Sequence, residues 1–312
     1  MRVLISGGLG HVGSSFIRQL QLPPNSKVYV CDTFLTQRYS SLFSIPIDRD
    51  VKFFEQDTRD ITFDFLTSNQ ISHVIHLSAI TDAAESFGKS EQLFLNNLGS
   101  TKSLINSCGE ANVPIIFPST TSVYGSNDGL VDEDSNTNPQ SPYAECKLLE
   151  EDLLKAAFKG GLRCVILRFG TIHGISSGMR FHTAVNKFCF QAVFSQPITV
   201  WKTAIDQKRP YLALSDANLA VEHVLINEIL NGEVFNVLTE NYSVNQILEK
   251  IEKFLGKKIN VKFVENEIMN QLSYEVSNAK FLNTGFNFKG SLENDLKETV
   301  DLLSGAGIHG RI

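Results

Sequence analysis

The sequence predicts an α/β protein: a doubly wound parallel sheet with a smaller α/β domain at its C-terminal side. Three observations carry that reading. Short apolar runs alternate with helical patterns through the first half, a glycine-rich turn follows the first run directly, and the rhythm changes after residue 168. The runs Arg2–Ser6, Lys27–Cys31, Val51–Phe54, His73–Leu77, Pro114–Phe117 and Cys164–Arg168 are short and rich in β-branched or apolar residues, as strands covered on both faces are. Between them, Val12–Leu20, Gln92–Glu110 and Pro142–Phe158 read as helices, the last with Leu148, Leu149, Leu153 and Leu154 on one side. Further on, Lys208–Leu214, a helix and Val234–Leu238 read as a return to the sheet. Ser243 and Gln246 have the spacing of a capping box, opening a helix with the stripe Val244, Ile247, Leu248, Ile251 and Leu255. The division expected is residues 1–170 plus 211–238 as one domain, and 171–210 plus 239–312 as the other. The segment Ser304–Gly310 is expected to be mobile.

Composition narrows the class of protein. Of 312 residues 42% are hydrophobic, and the net charge is 28 − 34 = −6. With no basic block beyond Lys257–Lys258, the chain lacks the footprint of a nucleic-acid binder. Its apolar runs fall far short of the roughly 20 residues that span a bilayer, so no membrane partner is expected, and no secretory signal is visible at the start. The five cysteines are scattered with no CxxC pair, which suggests neither disulfides nor a cysteine zinc site and fits a cytoplasmic setting. His173 and His182 have no acidic or cysteine partner at ligand spacing, so no metal is expected.

The first motif is Gly7-Gly8-Leu9-Gly10-His11-Val12-Gly13, between the first strand and first helix. Glycines here allow a tight turn and bring backbone N–H groups against a pyrophosphate at the helix N-terminus. Asp32, 32 − 13 = 19 residues past the last glycine, ends the second strand, where a carboxylate accepts from ribose hydroxyls and repels a 2′-phosphate. The cofactor indicated is NAD, with Arg38 the residue that points instead to NADP.

The second motif is Tyr143-x-x-x-Lys147, whose i, i+4 spacing puts both side chains on one helix face. An ammonium beside a phenol favours the phenolate, so the tyrosine can exchange a proton with a substrate hydroxyl. An amphipathic tyrosine on an exposed helix face is the alternative. The run Phe117-Pro118-Ser119-Thr120-Thr121-Ser122-Val123-Tyr124-Gly125 ends a strand in hydroxyl residues, one of which can hold a reacting oxygen.

In this order the motifs resemble the extended short-chain dehydrogenases/reductases, the branch that includes UDP-glucose 4-epimerase and other nucleotide-sugar enzymes, over nearly the whole chain. The resemblance implies a Rossmann-type domain that binds NAD through Gly7, Gly10, Gly13 and Asp32, with His11 and Val12 inside the loop, His11 through its backbone. It places Asp57, with Thr58 beside it, at the adenine, and runs Leu77 and Ala79 of His76-Leu77-Ser78-Ala79 along the cofactor. Asn96, with Gly99 after it, matches the family's asparagine, and Phe169 of Arg168-Phe169-Gly170 lies beside the nicotinamide. The family's catalytic Ser/Thr falls on Thr120, its acid/base on Tyr143 and its lysine on Lys147. Arg209 aligns with an arginine that approaches the substrate diphosphate, and Asn186 resembles an asparagine at the same phosphates. A surface ion pair and a helix-surface amide are their bland alternatives. Thr81 either meets the sugar or caps the next turn, and Arg180 is either a third phosphate ligand or a solvated loop charge.

Departures from the family narrow the reaction. Its 4,6-dehydratases carry Asp-Glu after the catalytic threonine, and its UDP-glucuronate decarboxylases a glutamate at the second position, where this chain has Thr121 and Ser122. Without that carboxylate the expected chemistry is oxidation and reduction at a carbinol carbon. The stretch with Gly174-Ile175-Ser176, Met179-Arg180 and Val185-Asn186 also resembles a sub-branch of GDP-heptose 4-dehydrogenases and uncharacterised sugar epimerases. The resemblance thus implies an NAD-dependent nucleoside-diphosphate-sugar epimerase working through a 4-keto intermediate. Its rivals are a net 4-dehydrogenase or ketoreductase with the same residues and a non-catalytic dinucleotide sensor. A homodimer through the 92–110 and 142–158 helices is also implied.

Overall fold

The computed structural model describes residues 1–81, 88, 90–127, 129–181, 183–202, 205–264 and 274–305. The expected mobile tail beyond residue 305, and His182, lie outside the described residues. Strands are β1 (Arg2–Ser6), β2 (Lys27–Asp32), β3 (Asp50–Glu55), β4 (His73–His76), β5 (Ile115–Thr120), β6 (Leu130–Val131) and β7 (Cys164–Phe169). They continue with β8 (Thr171–His173), β9 (Ile198–Trp201), β10 (Lys208–Ala213), β11 (Asn231–Val237), β12 (Glu240–Ser243), β13 (Val261–Val264) and β14 (Glu275–Val276). Helices are α1 (His11–Gln19), α2 (Phe63–Ser68), α3 (Ser90–Ala111), α4 (Pro142–Lys159), α5 (Ala184–Val193), α6 (Leu214–Asn227), α7 (Val244–Leu255), α8 (Ala279–Leu282) and α9 (Leu292–Ser304).

Among the described residues the main sheet has seven strands in the order β11-β7-β5-β4-β1-β2-β3, every pair parallel. The strands read as unbroken apolar runs because both faces are covered. Val3, Ile5, Val28, Val30, Val165 and Leu167 point into a core shared with α1 and α6. Their neighbours Leu4, Tyr29, Cys31, Val74 and Ile166 point the other way, into the core under α2, α3 and α4. Chain order reverses between β1 and β4, which pair in register from Val3↔His73 to Ser6↔His76. The loops leaving these two strands diverge there and open a crevice at their C-terminal ends.

The return to the sheet holds for β11 but not for Lys208–Ala213. That strand pairs parallel to β8 and antiparallel to β12 in a separate three-stranded sheet. Its place is set by β8, which follows β7 after the single residue Gly170. A Cβ on Gly170 would stand 3.1 Å from the Pro210 carbonyl. Beyond it a further apolar core joins α5, β9, β10, α7 and α9 through Val185, Cys189, Ile198, Tyr211, Ile247, Leu248, Ile251 and Leu296. Tyr211 is buried in this core. The capping box at α7 forms as expected: Gln246 N donates to Ser243 Oγ, and Ser243 N to Gln246 Oε1 at 2.8 Å. No described helix is long and apolar enough to cross a membrane.

Candidate active site

At the β1/β4 crevice lies a cavity of about 1040 Å³. That volume is at the upper end of small-ligand sites and suits a dinucleotide together with a second ligand. The glycine loop forms its floor. Gly7 has φ +67°, and a Cβ there would stand 2.6 Å from Ser78 N, so only glycine lets β1's exit pass under the chain leaving β4. A Cβ on Gly13 would meet Gly8 O at 2.5 Å, so the first turn of α1 packs directly on the loop. Gly10 caps α1 with no side-chain bond, leaving first-turn N–H groups to an incoming acceptor. Asp32 closes the end of this cradle, its Oδ2 accepting from Leu9 N at 3.0 Å and its Oδ1 from Phe34 N at 3.1 Å. Backbone donors where a pyrophosphate needs them, next to a carboxylate suited to a ribose, fit NAD.

The segment after β8 closes over the same loop, a feature the sequence did not signal. Ser176 Oγ lies 2.6 Å from His11 Nδ1, Gly178 N donates to Ser14 Oγ at 2.9 Å, and Ser40 Oγ donates to Ser177 O at 3.0 Å. A Cβ on Gly178 would meet Leu9 O at 2.5 Å. His11 was expected to act through its backbone alone. Its side chain is instead part of this clasp. Arg38, the residue that hinted at NADP, donates to Gly178 O at 3.1 Å and is held by the clasp beside the cavity. Burial, together with the charge of Arg180, pushes its guanidinium down to about 10, against the pull of Asp32.

The adenine-side and strand-side expectations fall in the same cavity wall. Asp57 lines it while paired with Arg59 through two side-chain bonds of 2.9 and 2.7 Å. Thr58 Oγ1 lies 2.5 Å from Ser78 Oγ, tying that turn to the exit of β4, where Leu77 and Ala79 also line the cavity. Asn96 lines it too and donates to Asn97 Oδ1 at 3.0 Å. Asn97, unnoticed in the sequence, accepts from Ile80 N at 2.8 Å and donates to Ile80 O at 3.1 Å, fixing the loop before Thr81.

Opposite the glycine loop, α4 presents Tyr143 and Lys147 together. Ser141 caps this helix by accepting from Ala144 N at 3.2 Å, and Pro142 at its first position suits the fixed φ there. Burial pushes the Tyr143 hydroxyl up, opposed by the charges of Lys147 and Arg180. For Lys147, burial works to lower the ammonium, but the charges of Glu150 and Tyr143 outweigh it and the group stands above its ordinary value. Lys147 Nζ also lies 4.3 Å from the centre of the Phe117 ring. Thr120 ends β5 facing the pair, its Oγ1 accepting from Ser122 N at 3.1 Å and lying 2.7 Å from Ser122 Oγ.

Of the residues expected at substrate, Thr81, Arg180 and Arg209 line the cavity, and Arg180 donates to Thr81 Oγ1. Arg180 is thus a wall residue and no solvated loop charge. Asn186 is fully buried, which overturns the surface-amide alternative. It stands behind Arg180, donating to its carbonyl at 3.4 Å, and is not in the cavity wall. Phe169 lines the cavity at the end of β7. All five cysteines are buried and unpaired, and burial pushes the Cys146 thiol up to about 12. Among the described residues no group of three His, Cys, Asp or Glu is placed to hold a metal.

The profile of the NAD dependent epimerase/dehydratase family matches residues 3–237. The uncharacterized UDP-glucose epimerase YtcB of Bacillus subtilis (strain 168) is 27% identical, covering 98% of this chain and 100% of its own. The UDP-glucuronic acid 4-epimerase of Bacillus cereus, solved with UDP-glucuronic acid and NAD, superposes with a TM-score of 0.87 at 26% identity, over 98% of this chain and 99% of that one. The UDP-glucose 4-epimerase of Thermus thermophilus, solved with NAD, gives 0.85 at 25%, over 98% and 100%.

Proposed function

Since the chain belongs to the NAD dependent epimerase/dehydratase family, we propose that it is an NAD-dependent nucleoside-diphosphate-sugar epimerase that inverts carbon 4 of its sugar. The observation that carries this reading is the joint presence of the glycine cradle with Asp32 and the Thr120, Tyr143 and Lys147 constellation on the walls of one cavity. NAD is the cofactor; when bound it accepts and returns the hydride, so that the sugar passes through a 4-keto form.

The chain's own residues manage the proton and the position. Tyr143 takes the proton of the sugar 4-hydroxyl as the oxygen becomes a carbonyl, and gives it back after inversion. Lys147 supplies the cation that holds the phenolate against the cost of burial, and Thr120 orients the reacting oxygen through its hydroxyl. Arg209 and Arg180 suit the substrate diphosphate, since guanidinium donors match phosphate oxygens. Asn186 supports that wall from behind Arg180. Asp32, Asp57 and Thr58 would hold the adenosine half of NAD, and Leu77, Ala79, Asn96 and Phe169 the nicotinamide half, all of them lining the one cavity.

We read residues 1–170 with 214–238 as the NAD domain, and 171–213 with 239–312 as the substrate domain; the boundary expected at 211 moves to the start of α6 because β10 joins the second sheet and Tyr211 the separate core around α5, α7 and α9. The buried, unpaired cysteines suit the cytoplasm. A homodimer through α3 and α4 is supported by Leu95 and Leu149, large apolar residues left exposed on these two helices. The test of function is incubation with UDP-, GDP-, CDP- and dTDP-sugars followed by NMR of the products. Inversion at carbon 4 without net NADH supports the proposal. Stoichiometric NADH with a 4-keto product would replace it with the dehydrogenase, and full turnover in Tyr143→Phe would overturn the assignment of the acid/base.

A further inference from the structure

Behind Tyr143 and Lys147 runs a line of buried polar groups for which the reaction as described has no use. Glu150, almost one turn beyond Lys147 on α4, is fully buried, and its Oε2 lies 3.2 Å from Lys147 Nζ. Its Oε1 accepts from Thr101 Oγ1 of α3 at 2.5 Å. Thr101 Oγ1 in turn lies 3.0 Å from His76 Nε2, and His76 Nδ1 lies 2.7 Å from Ser6 Oγ at the end of β1.

Counting hydrogens fixes the direction of every bond in this line. Burial, aided by the charge of Lys147, pushes His76 down to about 3, so its ring is neutral and carries one N–H. A carboxylate only accepts, so Thr101 spends its single hydroxyl hydrogen on Glu150 and can only accept from His76. The His76 hydrogen is therefore on Nε2, and Nδ1 accepts from the Ser6 hydroxyl. The line reads Ser6 to His76 to Thr101 to Glu150, each bond polarised toward the carboxylate, which meets Lys147 from the other side.

From this geometry we propose that Glu150 is a positioning residue: anchored by Thr101, it holds the Lys147 ammonium beneath Tyr143 and sets the pH range over which Tyr143 exchanges its proton. An ammonium has three donors. Glu150 engages one side of it, leaving the rest to face the cavity. Among the described residues, the charged and titratable groups facing the pair are Glu150 and Cys146 from α4, His76 from β4 and Arg180 from the segment after β8. Cys146 and His76 stay neutral across the working range, and Glu151, the next residue along, is occupied by Arg168 and Ser119. Among the described residues Glu150 is thus the anion that offsets Lys147. It favours the ammonium of Lys147 and disfavours the phenolate of Tyr143.

The inference rests on Tyr143 and Lys147 being the acid/base pair, and its test separates the two. The phenolate absorbance of Tyr143 is read as the difference between the NAD-containing wild type and Tyr143→Phe across pH, and again between Glu150→Gln and Glu150→Gln/Tyr143→Phe. Tyr143 ionises at lower pH in Glu150→Gln, and Glu150→Asp, which keeps the charge, returns it toward the wild type. With a sugar nucleotide turned over in the product panel, Glu150→Gln lowers kcat by about ten- to a hundredfold with KM little changed. Both limbs of its pH profile move to lower pH. An unchanged Tyr143 titration in a folded, NAD-containing Glu150→Gln protein overturns the proposal. Full turnover by Tyr143→Phe overturns the acid/base reading beneath it. A measurement that needs no variant is the 15N spectrum of His76: the Nε2–H tautomer supports the line as drawn, and the Nδ1–H tautomer refutes it.

Discussion

Replacing Glu151 by alanine tests how the tips of β5 and β7 are held at the site. Glu151 is fully buried and accepts from Arg168 Nε at 3.0 Å, Arg168 Nη2 at 2.7 Å and Ser119 Oγ at 2.6 Å. Arg168, also buried, donates from Nη1 to Tyr124 Oη at 2.9 Å, and that hydroxyl donates to Asn236 Oδ1 at 2.8 Å. Burial works to lower this guanidinium, but its bonds to Glu151 and Tyr124 hold it well above the ordinary arginine value. Removing the carboxylate leaves a desolvated cation whose other partners are neutral, which costs about 3–5 kcal/mol. At ~2–4 °C for each kcal/mol, the melting temperature falls by about 6–20 °C. NAD content falls too, because Ser119 and Arg168 immediately precede Thr120 and Phe169 in the cavity wall. The assay is thermal unfolding of Glu151→Ala, Arg168→Met and the double variant. A coupling of about 2 kcal/mol or more is expected, with the double variant less damaged than the sum of the singles. A loss below about 1 kcal/mol for Glu151→Ala, or no coupling, refutes the reasoning.

Other positions offer independent checks. Gly7→Ala forces a side chain onto a left-handed backbone and against Ser78 N, so it should purify with little or no bound NAD, as absorbance at 260 nm will show. Asp32→Ala should weaken NAD binding by about 2 kcal/mol and lessen discrimination against NADP, measured by calorimetry. The fold holds His76 neutral, its value lowered from 6.5 to about 3. Its contribution to stability is therefore complete above pH 6.5 and is lost as pH falls from there toward 3. Between pH 7 and pH 5 this amounts to about 2 kcal/mol in urea unfolding, and His76→Gln should remove that part of the slope. The proposed homodimer predicts a dimeric wild type in light scattering and a monomeric Leu95→Glu/Leu149→Glu variant; a monomeric wild type contradicts it.

Much of the frame was legible because strands buried on both faces must be continuously apolar, and because a phosphate cradle needs glycine where a Cβ would strike backbone, as at Gly7 and Gly13. Helical spacing put Tyr143 and Lys147 on one face but left an exposed tyrosine as the alternative; the hydroxyl run ending at Gly125 and the family resemblance singled the pair out. The pairing of Lys208–Ala213 was not: a short apolar strand looks the same in either sheet, and its partner was decided by β8 following one residue after β7. The clasp over the glycine loop was equally hidden, since His11 meets Ser176 and Ser14 meets Gly178 across more than 160 residues, through bonds that leave no local pattern. Glu150 and Glu151 are adjacent acids between the leucine pairs of α4, and nothing in that local pattern marks a carboxylate as buried. Only the packed structure shows both fully buried, one against Lys147 and the other against Arg168.

The most direct test of the central claim is to follow one purified preparation, with its NAD content measured, against UDP-glucose, UDP-glucuronic acid and other nucleotide sugars by proton NMR and absorbance at 340 nm. Conversion to the carbon-4 epimer with no accumulation of NADH, abolished in Tyr143→Phe, is the expected result. Stoichiometric NADH with a 4-keto sugar, or no turnover of any nucleotide sugar by a fully NAD-loaded protein, would contradict it.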